Sequence, residues 1–203
     1  MINNGTVSDN FTYFSGAGLY LKNTTATLTN STISGNSATN YGSAVYTNNS
    51  NIILRNSTVF NNTAATSSAT VFYVAVGSSA RLLNTIMANG TAPDCFVSSN
   101  SFFTDVGGNL VQNDANDCSI FSIKGQAPKL GSLQDNGGDT FTHALLSDSP
   151  AINAGLSNGN CQLTDQRGEP RDDGKCDIGA YEREQMSMFV IPLKSGKTVI
   201  FGL

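Results

Sequence analysis

A chain of 203 residues can bury a sizeable core, and one domain is the default for that length. Eleven Lys and Arg stand against 15 Asp and Glu, a net charge of −4, which excludes the basic footprint of a nucleic-acid or anionic-membrane binder. Only 13% of residues are charged while Val, Ile, Thr, Tyr and Phe are plentiful, so the composition excludes charge-driven disorder and favours strands.

Cys95, Cys118, Cys161 and Cys176 fall into two close sequence pairs, and in a polar, Lys-poor chain they point to disulfides and an oxidising compartment. No Cys-x-x-Cys or Cys/His cluster exists, so neither a zinc site nor a cofactor is expected. There is no run of about 18 apolar residues, and no transmembrane helix is predicted. No secretory leader is present either, so the export signal of a secreted or cell-surface protein is expected upstream of this segment.

In chain order, NNGTVSDN at 3–10 is followed by near-copies: LTNSTISGN at 28–36, LRNSTVFNN at 54–62 and LLNTIMANG at 82–90. Asn4, Asn30 and Asn56 lie 26 apart, as do Thr6, Thr32 and Thr58, Val7, Ile33 and Val59, and Asn10, Asn36 and Asn62. Leu19 matches Val45 and Tyr20 matches Tyr46 at the same period. The next copy arrives 28 residues on, at Asn84, after an insertion-like ATSSAT at 65–70. A period of this size marks a solenoid. Its apolar runs are short, alternating and β-branched, with Asn and Gly between them, which excludes helical repeats. Room for about three short strands per repeat makes each repeat one coil of a parallel β-helix, with rungs roughly 4.8 Å apart.

Leu28, Ile33, Leu54 and Val59 are then expected to point inward. Asn4, Asn30, Asn56 and Asn84 occupy one corner, where Asn tolerates the left-handed conformation; each amide is expected to bond the turn backbone and the Asn of the next coil. The Asn-x-Ser/Thr matches follow from this repeat and do not require glycosylation. Residues 3–10 correspond to the later half of a coil, so the chain is expected to start inside a longer solenoid with an open strand edge. Coils fill 1–92, and the last coils with a C-terminal cap fill 93–185. The cap is expected to cover the last core layer, with Arg167 cross-linking it through Asp165, Asp177 and Glu182. Residues 186–203 read as a hairpin, MFVIPL and TVIFGL around KSGK, with Pro192 at an edge or bulge; it either packs along the solenoid or serves surface retention.

The second half carries LGSLQDNGGDTFTHALLSDSPAINAG, TDQRGEPR and CDIGAYE, in that order. With these motifs the chain resembles, over essentially its whole length, bacterial surface β-helix proteins whose C-terminal region is termed a choice-of-anchor Q domain. Its repeats resemble those of polymorphic outer-membrane proteins. The resemblance implies an exported protein with a right-handed parallel β-helix and a cap, and it implies no catalytic residues. It also implies the pairings Cys95–Cys118 and Cys161–Cys176, each contributing about 3 kcal/mol in the chain-entropy picture. The expected fold is thus all-β: a right-handed, pectate-lyase-like parallel β-helix with a disulfide-braced cap and terminal hairpin.

Candidate chemistry is sparse. Glycosidases need two carboxylates flanking one bond, yet Asp9 is the only acid before Asp94, and Asp114/Asp117 and Asp172/Asp173 read as solvated turn residues. Lys22, Arg55 and Arg81 are out of register, which argues against a lyase groove. His143, the only histidine, reads as structural. NDANDC at 113–118 lacks the Gly and Glu of a calcium loop, so no metal is expected. An ice-binding Thr array breaks at Ile53 and Arg55. There remains a non-enzymatic surface scaffold, structural or adhesive, with Tyr20 and Tyr46 (beside Tyr41 and Tyr73) as candidate contacts for glycans or for proteins of a host or neighbouring cell. The alternative is a polysaccharide-binding or polysaccharide-cleaving β-helix protein, a fold-level analogy.

Overall fold

A β-branched run continues straight until a residue without a steric penalty in the left-handed region turns it, and here those residues are Asn and Gly. The computed structural model describes residues 1–65, 71–113, 123–157 and 159–184, with the strands Phe189–Pro192 and Thr198–Phe201. It is a parallel β-solenoid of about four turns, and no helix occurs among the described residues.

Four short strands, rather than about three, make up a coil. Sheet A stacks Ile2–Asn3, Thr25–Thr29, Asn51–Arg55, Ser79–Leu83 and Phe102–Gly107. Sheet B stacks Thr6–Ser8, Thr32–Ser34, Thr58–Phe60, Ile86–Ala88, Leu110–Val111 and Ile123–Lys124. Sheet C has three two-residue strands, Phe11–Thr12, Ser37–Ala38 and Thr63–Ala64. Sheet D stacks Leu19–Lys22, Val45–Asn48, Phe72–Val74 and Cys95–Val97. Alternation fills the interior: Leu28, Leu54 and Leu82 stack from sheet A, Ile33, Val59 and Met87 from sheet B, and Val45, Phe72 and Cys95 from sheet D, all buried.

Each corner is a column of left-handed residues. Asn4, Asn30, Asn56 and Asn84 have φ of 52, 46, 45 and 49° between sheets A and B. Asn23, Asn49, Gly77 and Asn100, at 52, 47, 71 and 59°, repeat the device between D and A. The amide-to-amide ladder expected on the Asn30 column is absent there, because the following residue takes its place. Ser57 Oγ donates to Arg55 O at 2.8 Å and accepts from Ser31 N–H at 3.4 Å. Ser31 repeats both bonds one coil earlier, with Thr29 O and Gly5 N–H. The amide ladder sits instead at Asn10, Asn36 and Asn62. Asn36 Nδ2 donates to Asn62 Oδ1 at 2.9 Å and to Val7 O at 3.0 Å, while its Oδ1 accepts from Asn10 Nδ2 at 2.9 Å. These amides satisfy carbonyls that the bend removes from the strand ladder.

The described part of the C-terminal region lies along a flank of the solenoid. From residue 130 it folds back along the outer face of sheet B, as far as the first coil, where Thr140 Oγ1 donates to Asn4 O at 3.0 Å and Thr6 Oγ1 to Phe141 O at 2.6 Å. The composition of that face explains the route. Its first rungs expose Thr6, Ser8, Thr32 and Ser34, and its later ones Phe60, Ile86, Ala88 and Leu110. The flap meets the former with Gln166, Thr140 and His143, and the latter with Leu145, Ala151 and Ile178, which join Phe60, Ile86 and Leu110 in a second apolar core. Apolar groups on both faces remove sheet B from water. Gly179 (φ 106°) allows the close approach, since a Cβ there would lie 2.9 Å from Thr58 Oγ1 and from Ile86 Cδ1. Within the flap, Leu130–Gln134 pairs antiparallel with Thr142–Leu145. Phe189–Pro192 and Thr198–Phe201 form the terminal antiparallel pair, with Phe189 opposite Phe201; the KSGK turn lies outside the described residues.

Asn36→Ala leaves the carbonyl of Val7 and the partners on either coil without an amide inside the core, so it is expected to cost about 2–4 kcal/mol. Asn23→Gly, at an exposed corner, is expected to cost under about 1 kcal/mol. Urea midpoints of the two variants check the contrast.

Candidate functional site

Buried polar groups are concentrated where the flap meets sheet B. His143 Nδ1 lies 2.7 Å from Gly131 O, which can only accept, so Nδ1 carries the proton and Ser34 Oγ donates to Nε2 at 2.8 Å. Phe60 packs edge-on to the imidazole at 4.8 Å. A serine–histidine pair is half of a nucleophilic device, but both residues are 2% exposed and the third partner is a carbonyl rather than a carboxylate. The pair is a clasp. Burial holds the imidazole below its usual pKa, and thus neutral.

Gln166 joins three coil and flap hydroxyls: its Oε1 accepts from Thr32 at 2.7 Å, and its Nε2 donates to Thr6 and to Thr140 at 2.9 Å. Beside it, Asp165 pairs with Arg167 at 2.8 Å and accepts the N–H groups of Arg167, Glu169 and Glu182. The Arg167 guanidinium also donates to Glu182 O at 2.7 Å and lies 3.8 Å over the Tyr181 ring. Arg167 does not reach the carboxylates of Glu182 or Asp177. Glu182 pairs instead with Arg171, a residue outside the expected cross-link, which also donates to Asp177 O and Gly179 O. Asp177 accepts the N–H groups of Asn153 and Arg183 at 2.7 Å. One expected cross-link is therefore two. The second arginine of TDQRGEPR was the available signal. Burial outweighs the attraction of Arg171 and pushes Glu182 up to about 7, with Asp177 adding to the rise; burial raises Asp177 as well.

The corner asparagines dock this flap. Asn30 Nδ2 donates to Thr164 O at 2.9 Å, and Asn84 exchanges bonds with Leu156, accepting its N–H at 2.6 Å and donating to its carbonyl at 3.0 Å. Asn56 Nδ2 approaches Cys176 Sγ at 3.3 Å, while Asn4 is exposed. Cys176 is bonded to Cys161, with Cα atoms 5.9 Å apart. Cys95 is buried in sheet D; Cys118, Asp114 and Asp117 lie outside the described residues. Asp172 and Asp173 are exposed.

Two surfaces remain. On sheet D, Tyr20, Tyr46, Tyr73 and Phe96 stack with centroids 5.2, 5.5 and 4.8 Å apart and planes within 24°, and Tyr41 leans on Tyr73. The ring faces of Tyr46 and Tyr73 are spent on their neighbours, which leaves the outer faces of the end rings, Tyr20 and Phe96, and the ring of Tyr41. On sheet A, Thr25, Asn51, Arg55, Arg81 and Phe102 face solvent. Arg55 and Arg81 are two residues out of register, as expected, yet they share this outer face. Among the described residues, no group of His, Cys, Asp and Glu could hold a metal, and no helix is long and apolar enough to cross a membrane. Searches with family models, among curated proteins and among solved structures find no match to this chain.

Folded Glu182 keeps its proton to about pH 7, whereas the unfolded chain releases it near 4.5. Its contribution is therefore complete below 4.5 and is lost as the pH rises through 7, a change of up to about 3 kcal/mol. His143 acts oppositely: its lowered pKa gives stability that is present above the usual imidazole value and lost on acidification. Melting curves at pH 5 and 8 should show wild type losing more stability towards pH 8 than Glu182→Gln, and more towards pH 5 than His143→Gln. Tyr46→Ala interrupts the stack at its middle and is expected to lower stability by about 2–4 kcal/mol in chemical denaturation.

Proposed function

We propose that this chain is an exported, surface-associated β-solenoid scaffold with an adhesive role, and that it does no chemistry itself. The observation that carries the reading is the flap: its titratable groups with buried side chains are all engaged by protein partners, Asp165, Arg167, Arg171, Asp177 and Glu182 within the flap and His143 at Ser34 of sheet B. A catalytic centre needs such groups to converge on a space that a substrate can enter. Here they converge on protein. The Cys161–Cys176 disulfide fits an oxidising compartment outside the cytoplasm. A rod with ordered corner ladders and a braced flank presents its outward columns at fixed spacing, which suits repeated contacts to an extended ligand such as a glycan or a surface protein.

The test is incubation of the oxidised, purified chain with a panel of neutral and acidic polysaccharides, scoring retention on each polymer and new reducing or unsaturated ends. Retention without new ends is expected. New ends whose release co-purifies with the chain would overturn the reading.

A further inference from the structure

We propose that the outer face of sheet A is a binding site for a carboxylated polysaccharide, with Arg55 and Arg81 as its anion contacts; this deepens, and rests on, the scaffold reading. The four flanks of the solenoid are not equivalent. Sheet B is covered by the flap, sheet D by its aromatic stack, and sheet C is only two residues wide. Sheet A alone offers five parallel strands whose outer face is solvent-exposed at Thr25, Asn51, Arg55, Arg81 and Phe102. Its outward residues form columns: Thr25, Asn51, Ser79 and Phe102; Thr27, Ile53, Arg81 and Thr104; and Thr29 and Arg55, a column that ends on the buried Leu83.

Charge on the face is of one sign. Arg167 and Arg171 spend their guanidinium forks on buried carboxylates, whereas Arg55 and Arg81 are exposed and make no ion pair or side-chain hydrogen bond among the described residues. Asp9, the only acid in the first 93 residues, lies at the corner between sheets B and C, away from sheet A. Asp105, on the last sheet A strand, has its carboxylate engaged by Gly107 N–H and by Asn109. A protein of net charge −4 thus carries two unpaired guanidinium groups on one flat, hydroxyl-rich face. They sit one rung and two residues apart, about 8 Å between Cα atoms from strand geometry. That is the scale of neighbouring charges along a chain of acidic sugars. The planar fork matches a carboxylate with two parallel bonds. Hydroxyls of Thr27, Thr29 and Ser79 lie beside the cations for the sugar hydroxyls, and Phe102, 68% exposed, offers an aromatic surface at the end of the first column.

The test measures binding of the oxidised full chain to polygalacturonate, dextran sulfate and neutral dextran by affinity electrophoresis, at low and high salt. Polygalacturonate should retard the wild type more than dextran sulfate does, and neutral dextran should not retard it. Arg55→Gln and Arg81→Gln should each weaken the retardation roughly tenfold with an unchanged melting curve, and Lys129→Gln, an exposed cation on the flap, should leave it intact. No retardation by polygalacturonate, an undiminished effect in the arginine variants, or equal loss in Lys129→Gln would each overturn the site. Stronger retardation by dextran sulfate would overturn its assignment to carboxylates. These failures are separable from failure of the scaffold reading, which shows as release of new ends from the polymer.

Discussion

The structure depends on turning a chain sharply while leaving no backbone group stranded. Every coil changes direction at left-handed residues, and a sharp turn takes peptide groups out of the strand ladder. Two devices answer this. Asn or Gly accepts the conformation, and a Ser, Thr or Asn near the turn feeds its side chain to the backbone of its own coil and the coil before. Ser57 and Asn36 are the clearest examples, each linking adjacent coils through bonds that repeat at the period of the fold. Because each coil supplies partners for the next, stability passes along the rod by contact between neighbours.

The flap breaks that one-dimensional logic. It ties the last coils to the first, with Thr140 reaching Asn4 and Gln166 reaching Thr6, so the solenoid is braced along its length. A polar-to-apolar gradient on sheet B sets its register, because a shift by one rung would put Ile178 against hydroxyls and His143 against aliphatic side chains. The buried ion pairs and the disulfide lie within the flap, where they fix its shape. The corner asparagines, turned outward by their left-handed backbone, supply the docking bonds.

This arrangement divides the outside of the molecule by chemistry. One flank is buried polar and apolar core, one is stacked aromatic rings, and one is an open sheet bearing unpaired cations. Groups that would look reactive in isolation, a serine beside a histidine and a carboxylic acid held near neutrality, lie where nothing but protein reaches them. Function is left to the surfaces that remain.

The 26-residue period by itself determined the solenoid, the inward ladders through Leu28 and Leu54, and the left-handed corner at Asn30, because all of these follow from spacing within one coil or between adjacent ones. The period also marked Asn10, Asn36 and Asn62, but spacing alone does not say which of two asparagine columns faces its own neighbours and which faces another element. Only the tertiary structure decided that, together with the flap's course along sheet B, the pairing of Arg171 with Glu182 and the sharing of one face by Arg55 and Arg81. The contacts that dock the flap join residues as far apart as Thr6 and Gln166, and no local pattern encodes a distance of that kind. Its placement follows from complementarity between two whole surfaces, which exist only once the coils have stacked.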